Sequence, residues 1–99
     1  MKKSKIYISG KITGLDLQEA ENLFNEAETM LLKREYCEVV NPMKLDHSKH
    51  DQTWESFMMV DLKALIDCDG IYMLENWESS KGARIEHQLA EQLGLKFYI

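Results

Sequence analysis

The spacing of hydrophobic positions changes several times along the chain, and the changes mark out alternating strands and helices. Lys5-Ile6-Tyr7-Ile8-Ser9 is a short β-branched and aromatic run halted by Gly10, and it predicts a first strand. From Asp16, a side chain suited to an N-cap, apolar residues recur at Leu17, Ala20, Leu23, Phe24, Ala27 and Leu31. That helical period predicts a helix to about Arg34. Cys37-Glu38-Val39-Val40 predicts a second strand, closed by Asn41-Pro42. The polar stretch Lys44 to Gln52 predicts a surface loop, after which Thr53, followed by Ser56, opens a helix over Trp54 to Ile66. Ile71 to Leu74, entered through Asp69-Gly70, predicts the third strand, and Glu75 to Ser80 a loop. Lys81 to Leu93 then predicts a helix stopped by Gly94, and Lys96 to Ile99 a last strand.

Strands alternating with helices through short connections imply parallel strands joined by right-handed crossovers, with helices on both faces. The chain, residues 1–99, therefore predicts one three-layer α/β/α domain of flavodoxin or Rossmann-like type, its four parallel strands ordered 2-1-3-4. Such sheets bind ligands beyond the carboxyl ends of their strands, where the strand order reverses. Here that point falls between strands one and three, so the facing loops are Gly10–Gly14 and Glu75–Ser80.

Composition narrows the partners. At 44% hydrophobic and 29% charged, the chain has enough apolar residues for a core, which excludes disorder as the starting assumption. Acidic residues exceed basic ones by 17 to 12, a net charge of −5, and this argues against a polynucleotide backbone as partner. One small phosphorylated ligand stays compatible, because backbone amides at a loop or helix start can hold a phosphate without net positive charge. Cys37 and Cys68 form no CxxC pair and lie among apolar residues, the pattern of reduced, buried thiols in a cytoplasmic protein. No signal peptide and no membrane span fits the chain, so no membrane partner is expected.

Two carboxylates interrupt apolar stripes. Trp54, Phe57, Met58, Leu62 and Leu65 share one face of the second helix, and Asp61 falls inside it. Gly82, Leu89, Ala90 and Leu93 share a face of the third helix, and Glu86 sits on it. An inward carboxylate loses hydration and must be paired, hydrogen-bonded or protonated. Each could simply cap a neighbouring loop or pair with Lys81 or Arg84. Two such groups near the switch point also suit glycosidic chemistry, one as nucleophile and one as acid.

The flanking loops fit a small anionic ligand. Glycines in Ser9-Gly10-Lys11-Ile12-Thr13-Gly14 let backbone amides approach an anion, as they also serve a plain tight turn. Ser79-Ser80-Lys81-Gly82 leads into a helix N-terminus, where the hydroxyls serve either as caps or as ligand donors. Trp77 could stack on a base or merely anchor its loop. His47-Ser48-Lys49-His50-Asp51 invites a metal reading, but no partner pair lies at metal-ligand spacing, and a solvated loop is the better reading. Trp54, Phe57, Met58 and Met59 exceed what one small sheet face requires, which suggests a symmetric dimer contact beside core packing.

Together these residues resemble the nucleoside 2-deoxyribosyltransferase superfamily, which includes 2′-deoxynucleoside 5′-monophosphate N-glycosidases and short uncharacterised phage and bacterial proteins. Tyr7 to Gly14 is similar to its opening Y-x-x-G-x-I-x-G, and Asp61 to Asp69 to its D-L-x-x-L-x-x-x-D segment. Ser80 to Glu86 is similar to its S-x-G-x-x-x-E signature. The resemblance implies a covalent glycosidic mechanism with no metal or redox cofactor and a homodimeric assembly. It assigns Glu86 as nucleophile, Tyr7 as the residue orienting it, and Asp61 as the group that protonates or holds the departing base. Gly10, Ile12, Gly14, Ser80 and Gly82 match positions around the sugar and its 5′ phosphate. Serine at position 80 is closer to the monophosphate glycosidases, since the transferase branch carries an acidic residue there. The family's further C-terminal strand and helix have no counterpart before Ile99, and from this comes a second expectation, a catalytically silent nucleotide-binding module.

Overall fold

The computed structural model describes residues 4–34, 37–48 and 53–98. Four parallel strands are present, β1 (Ser4–Ser9), β2 (Cys37–Val40), β3 (Gly70–Met73) and β4 (Lys96–Tyr98), in the order β2-β1-β3-β4. Three helices connect them: α1 (Leu17–Arg34), α2 (Trp54–Ile66) and α3 (Lys81–Leu93). The expected sheet order and three-layer arrangement are both present. The start of the chain, positions 49–52 of the polar loop and Ile99 of the last strand fall outside the described residues.

Local signals set the helix ends. The Asp16 carboxylate accepts from the Glu19 amide at 3.3 Å, and Thr53 Oγ1 accepts from the Ser56 amide at 3.1 Å, so α1 and α2 both start on side-chain caps. Gly94, left-handed at φ 73°, ends α3 where the sequence places the stop. The third strand is shifted by one residue. Gly70 joins it, pairing with Ile6 and Lys96, and Leu74 leaves it while its amide still donates to the Ser9 carbonyl at 2.8 Å. Gly70 belongs in the strand because a side chain there would collide with the Lys96 carbonyl and the Tyr98 ring.

Two cores lie on opposite faces of the sheet. Ile6 and Ile8 of β1 pack with Phe24, Ala27 and Leu31 of α1. Tyr7 points to the other face with Leu65, Cys68, Ile71 and Ala90, under α2 and α3. This is the two-residue alternation of a strand buried on both sides. Some stripe residues are displaced from the expected faces. Leu17, the first residue of α1, and Leu93, the last of α3, are exposed. Both cysteines are free and buried, as expected. None of the described helices is long and apolar enough to cross a membrane.

Candidate active site

The alternation along β1 decides what reaches the site. With Ile6 and Ile8 committed to the α1 core, Tyr7 and Ser9 face α3, and both are fully buried. The small residues Ala83 and Ala90 let α3 lie close to the sheet, with Glu86 between them on the same buried face. Tyr7 Oη donates to Glu86 Oε2 at 2.7 Å, and Ser9 Oγ donates to Glu86 Oε1 at 2.6 Å. The Glu86 partners are thus two hydroxyls and not the nearby cations. Lys81 lies over the Trp54 ring at 4.7 Å, and Arg84 donates to the Glu78 carbonyl at 3.1 Å.

Asp61 is buried on α2 beside Met58 and Leu65. Its Oδ1 lies 2.9 Å from His47 Nε2, and the His47 ring packs on Phe57 with 4.9 Å between ring centres. The polar stretch is therefore not wholly solvated as expected. After a 3-10 turn at Pro42–Lys44 it folds back so that His47 becomes half-buried against α2. His50 and Asp51 of the same motif lie outside the described residues.

The two carboxylates open on one cleft at the carboxyl end of β1 and the start of α3, and no residue of β3 or of Glu75–Ser79 in the second expected loop lines it. Its lining comes from Gly10, Ile12 and Thr13 of the first loop, and from Ser80, Gly82, Ala83 and Glu86 at the start of α3. Trp54, Phe57, Met58 and Asp61 of α2 form a wall, and Tyr7, Phe24 and Pro42 complete it. Its cavity volume is about 70 Å³. The loop rims are fixed by the Lys11 amide donating to Asn76 Oδ1 at 2.9 Å. Gly10 is required for the close pass beside Leu74, because a Cβ there would lie 2.8 Å from Leu74 Cβ and Cγ. Bare Gly82 lets Met58 sit against α3, its sulfur 3.1 Å from where a Cβ would stand.

The structure thus brings together seven of the nine expected residues: Tyr7, Gly10, Ile12, Asp61, Ser80, Gly82 and Glu86. Gly14 and Trp77 lie off the cleft wall. Gly14, at φ +91°, turns the first loop toward α1 in a conformation that favours glycine. Trp77 stacks flat on His87, ring centres 4.3 Å apart, which pins its loop to α3. Ser80 Oγ accepts from the Ala83 amide at 3.1 Å and so caps α3. Ser9 and His47 were not expected at the site. Ser9 could have been found from its two-residue spacing to Tyr7, which places both on one strand face.

Burial governs the charges. It pushes the Glu86 carboxyl up to about 7, against the donor bonds from Ser9 and Tyr7, and the Asp61 charge adds to the rise. Burial also raises Asp61, opposed by the His47 hydrogen bond. Burial and then the Glu86 charge hold the Tyr7 phenol well above its ordinary range, so Tyr7 remains a neutral donor. Tyr7→Phe is expected to move Glu86 higher still, since it removes a bond that favours the carboxylate, and to cost about 1 kcal/mol of stability. A carbon-detected NMR titration of Glu86 checks the direction. An unchanged titration would mean that the phenol does not act on Glu86. Among the described residues no three His, Cys, Asp or Glu side chains come together as a metal site.

One family model spans residues 4–99. The chain belongs to DUF4406, a family of domains of unknown function. No curated protein matches this DUF4406 domain.

Proposed function

We propose that this DUF4406 domain is an N-glycosidase or deoxyribosyltransferase that cleaves the N-glycosidic bond of a deoxynucleoside or its 5′-monophosphate. The observation carrying this reading is Glu86, a buried carboxylate gripped by two hydroxyl donors and opening on a cleft that also holds Asp61. The three sequence motifs support it, because Tyr7, Asp61 and Glu86 occupy the matching positions in each.

In the first half-reaction a Glu86 carboxylate oxygen attacks C1′ of the sugar, and the bond from C1′ to the base nitrogen breaks. The bonding pair leaves with the base, which takes a proton from Asp61. A glutamyl-deoxyribose ester remains. In the second half-reaction water attacks C1′, returning the Glu86 carboxylate and giving its proton to Asp61, or a second base attacks instead and completes transfer. Tyr7 and Ser9 aim the nucleophile and hold it partly ionised although buried. Gly10, Ile12, Ser80 and Gly82 surround the sugar end, and the narrow cleft takes the reacting atoms while the base and phosphate lie toward its mouth. The domain acts on this small ligand in the cytoplasm, as a homodimer. Exposed Met59 and Ile66 on α2 and Ile85 and Leu93 on α3 offer apolar surface for a second copy.

Incubation with the common deoxynucleosides and their 5′-monophosphates, with and without an acceptor base, tests the reading by chromatography of free and exchanged base. Release from any of them supports a glycosidase, and exchange only with acceptor a transferase. No release, with a nucleotide raising the melting temperature, would replace it by the silent binding module.

A further inference from the structure

The contact between His47 and Asp61 has no part in the chemistry above, although it joins a loop to the centre of α2. His47 Nε2 lies 2.9 Å from Asp61 Oδ1, and the Phe57 ring packs on the His47 ring. Among the described residues Asp61 Oδ2 has no hydrogen-bond partner in the protein, while Asp61 itself lines the cleft. The two oxygens are thus unequal, one held from the loop side and one left for a ligand.

We propose that His47 is a positioning residue for Asp61: by holding Oδ1 it turns Oδ2 toward the departing base and steadies the carboxylate that forms when Oδ2 gives up its proton. The inference rests on the glycosidase reading and assigns that reading's proton donor to one atom. The role requires that Nε2 carry a proton and donate it to Oδ1. Atoms balance without a proton leaving His47. The proton passes from Oδ2 to the base nitrogen, Nε2–H stays on the ring, and its bond to Oδ1 shortens as charge develops there. Among the described residues Asp61 is also coupled to Glu86 and Tyr7. The imidazole is the one of these groups hydrogen-bonded to Asp61, so among the described residues it is placed to offset the new charge. It also has the right direction, since its hydrogen bond opposes the burial that would otherwise weaken Asp61 as a proton donor to carboxylate form.

The test compares two leaving groups in wild type, His47→Ala and His47→Gln. One substrate is the unmodified deoxynucleoside or monophosphate that the wild type cleaves. The other is its counterpart whose base departs with less need of a proton, 7-methylated for a purine or 5-fluorinated for a pyrimidine. His47→Ala is expected to lower kcat on the unmodified substrate by on the order of 10²-fold with little change in KM, and on the activated one by no more than about 3-fold. His47→Gln, which restores an N–H at this distance, is expected to recover most of the loss. Circular dichroism and melting of each variant separate these effects from misfolding. Equal losses on both substrates, or no loss on either, would overturn the positioning role while leaving the glycosidase intact. If the wild type cleaves nothing and Glu86→Gln is indistinguishable from it, the glycosidase reading fails and the His47 role falls with it.

Discussion

Glu86→Gln is expected to remove base release from every deoxynucleoside or monophosphate that the wild type cleaves, by roughly 10³-fold or more in kcat. The substitution keeps the size and shape of the side chain and leaves an amide that still bonds the Tyr7 and Ser9 hydroxyls, so the packing around Ala83 and Ala90 is preserved. What it removes is the negative oxygen able to bond C1′. Loss of activity with unchanged circular dichroism therefore isolates chemistry from folding. A variant that retained more than about a tenth of the wild-type rate would exclude Glu86 as nucleophile and leave it a buried structural acid.

The same side chain makes stability depend on pH in an uncommon direction for a carboxylate. Its folded value is raised to about 7 from an ordinary 4.5, so the folded protein binds this proton more tightly than the unfolded chain does. Its contribution is fully present below the unfolded value and is lost as pH rises through the folded one. The 2.5-unit difference, 7 − 4.5, corresponds to about 3 kcal/mol at 1.36 kcal/mol per unit. Asp61 is raised in the same direction, so wild type alone would mix two groups. The difference between wild type and Glu86→Gln isolates one. Urea unfolding at about pH 5 and about pH 8.5 is expected to show the glutamine protein gaining about 2.5 kcal/mol relative to wild type at the higher pH, the rest being lost already below pH 5. Parallel stability profiles for the two proteins would mean that Glu86 titrates near its ordinary value. A carboxylate kept desolvated and poised near neutral pH is what the proposed nucleophile would need.

Much of the fold was legible because it rests on local patterns. Gly10 and Asn41-Pro42 end strands, Asp16 and Thr53 cap helices, and the strand and helix periods alternate without ambiguity. Asp61 and Glu86 were legible as site residues for the same reason, each a charge set in an apolar stripe that helical spacing defines. Legibility ended where position depends on how a loop returns. His47 lies in a polar segment without periodicity, and nothing near it in sequence tells that it will meet Asp61 14 residues on. Trp77 was open between two roles, base stacking and loop anchoring. An aromatic beside the switch point suited a base, and what it stacks on in the fold is His87 of α3, a partner ten residues on that no local pattern announces. Leu17 and Leu93, at the first and last positions of their helices, are exposed although both continue an apolar period, so the period alone did not tell where burial stops.

The central claim is a covalent bond between Glu86 and the sugar. The most direct measurement is acid quenching during turnover, followed by protease digestion and mass spectrometry of the peptide that carries Glu86. A mass increment of one deoxyribosyl group on Glu86, absent from the glutamine variant and discharged on continued incubation without quench, is the expected result. Base release at full rate with no increment on Glu86, however early the quench, would contradict it.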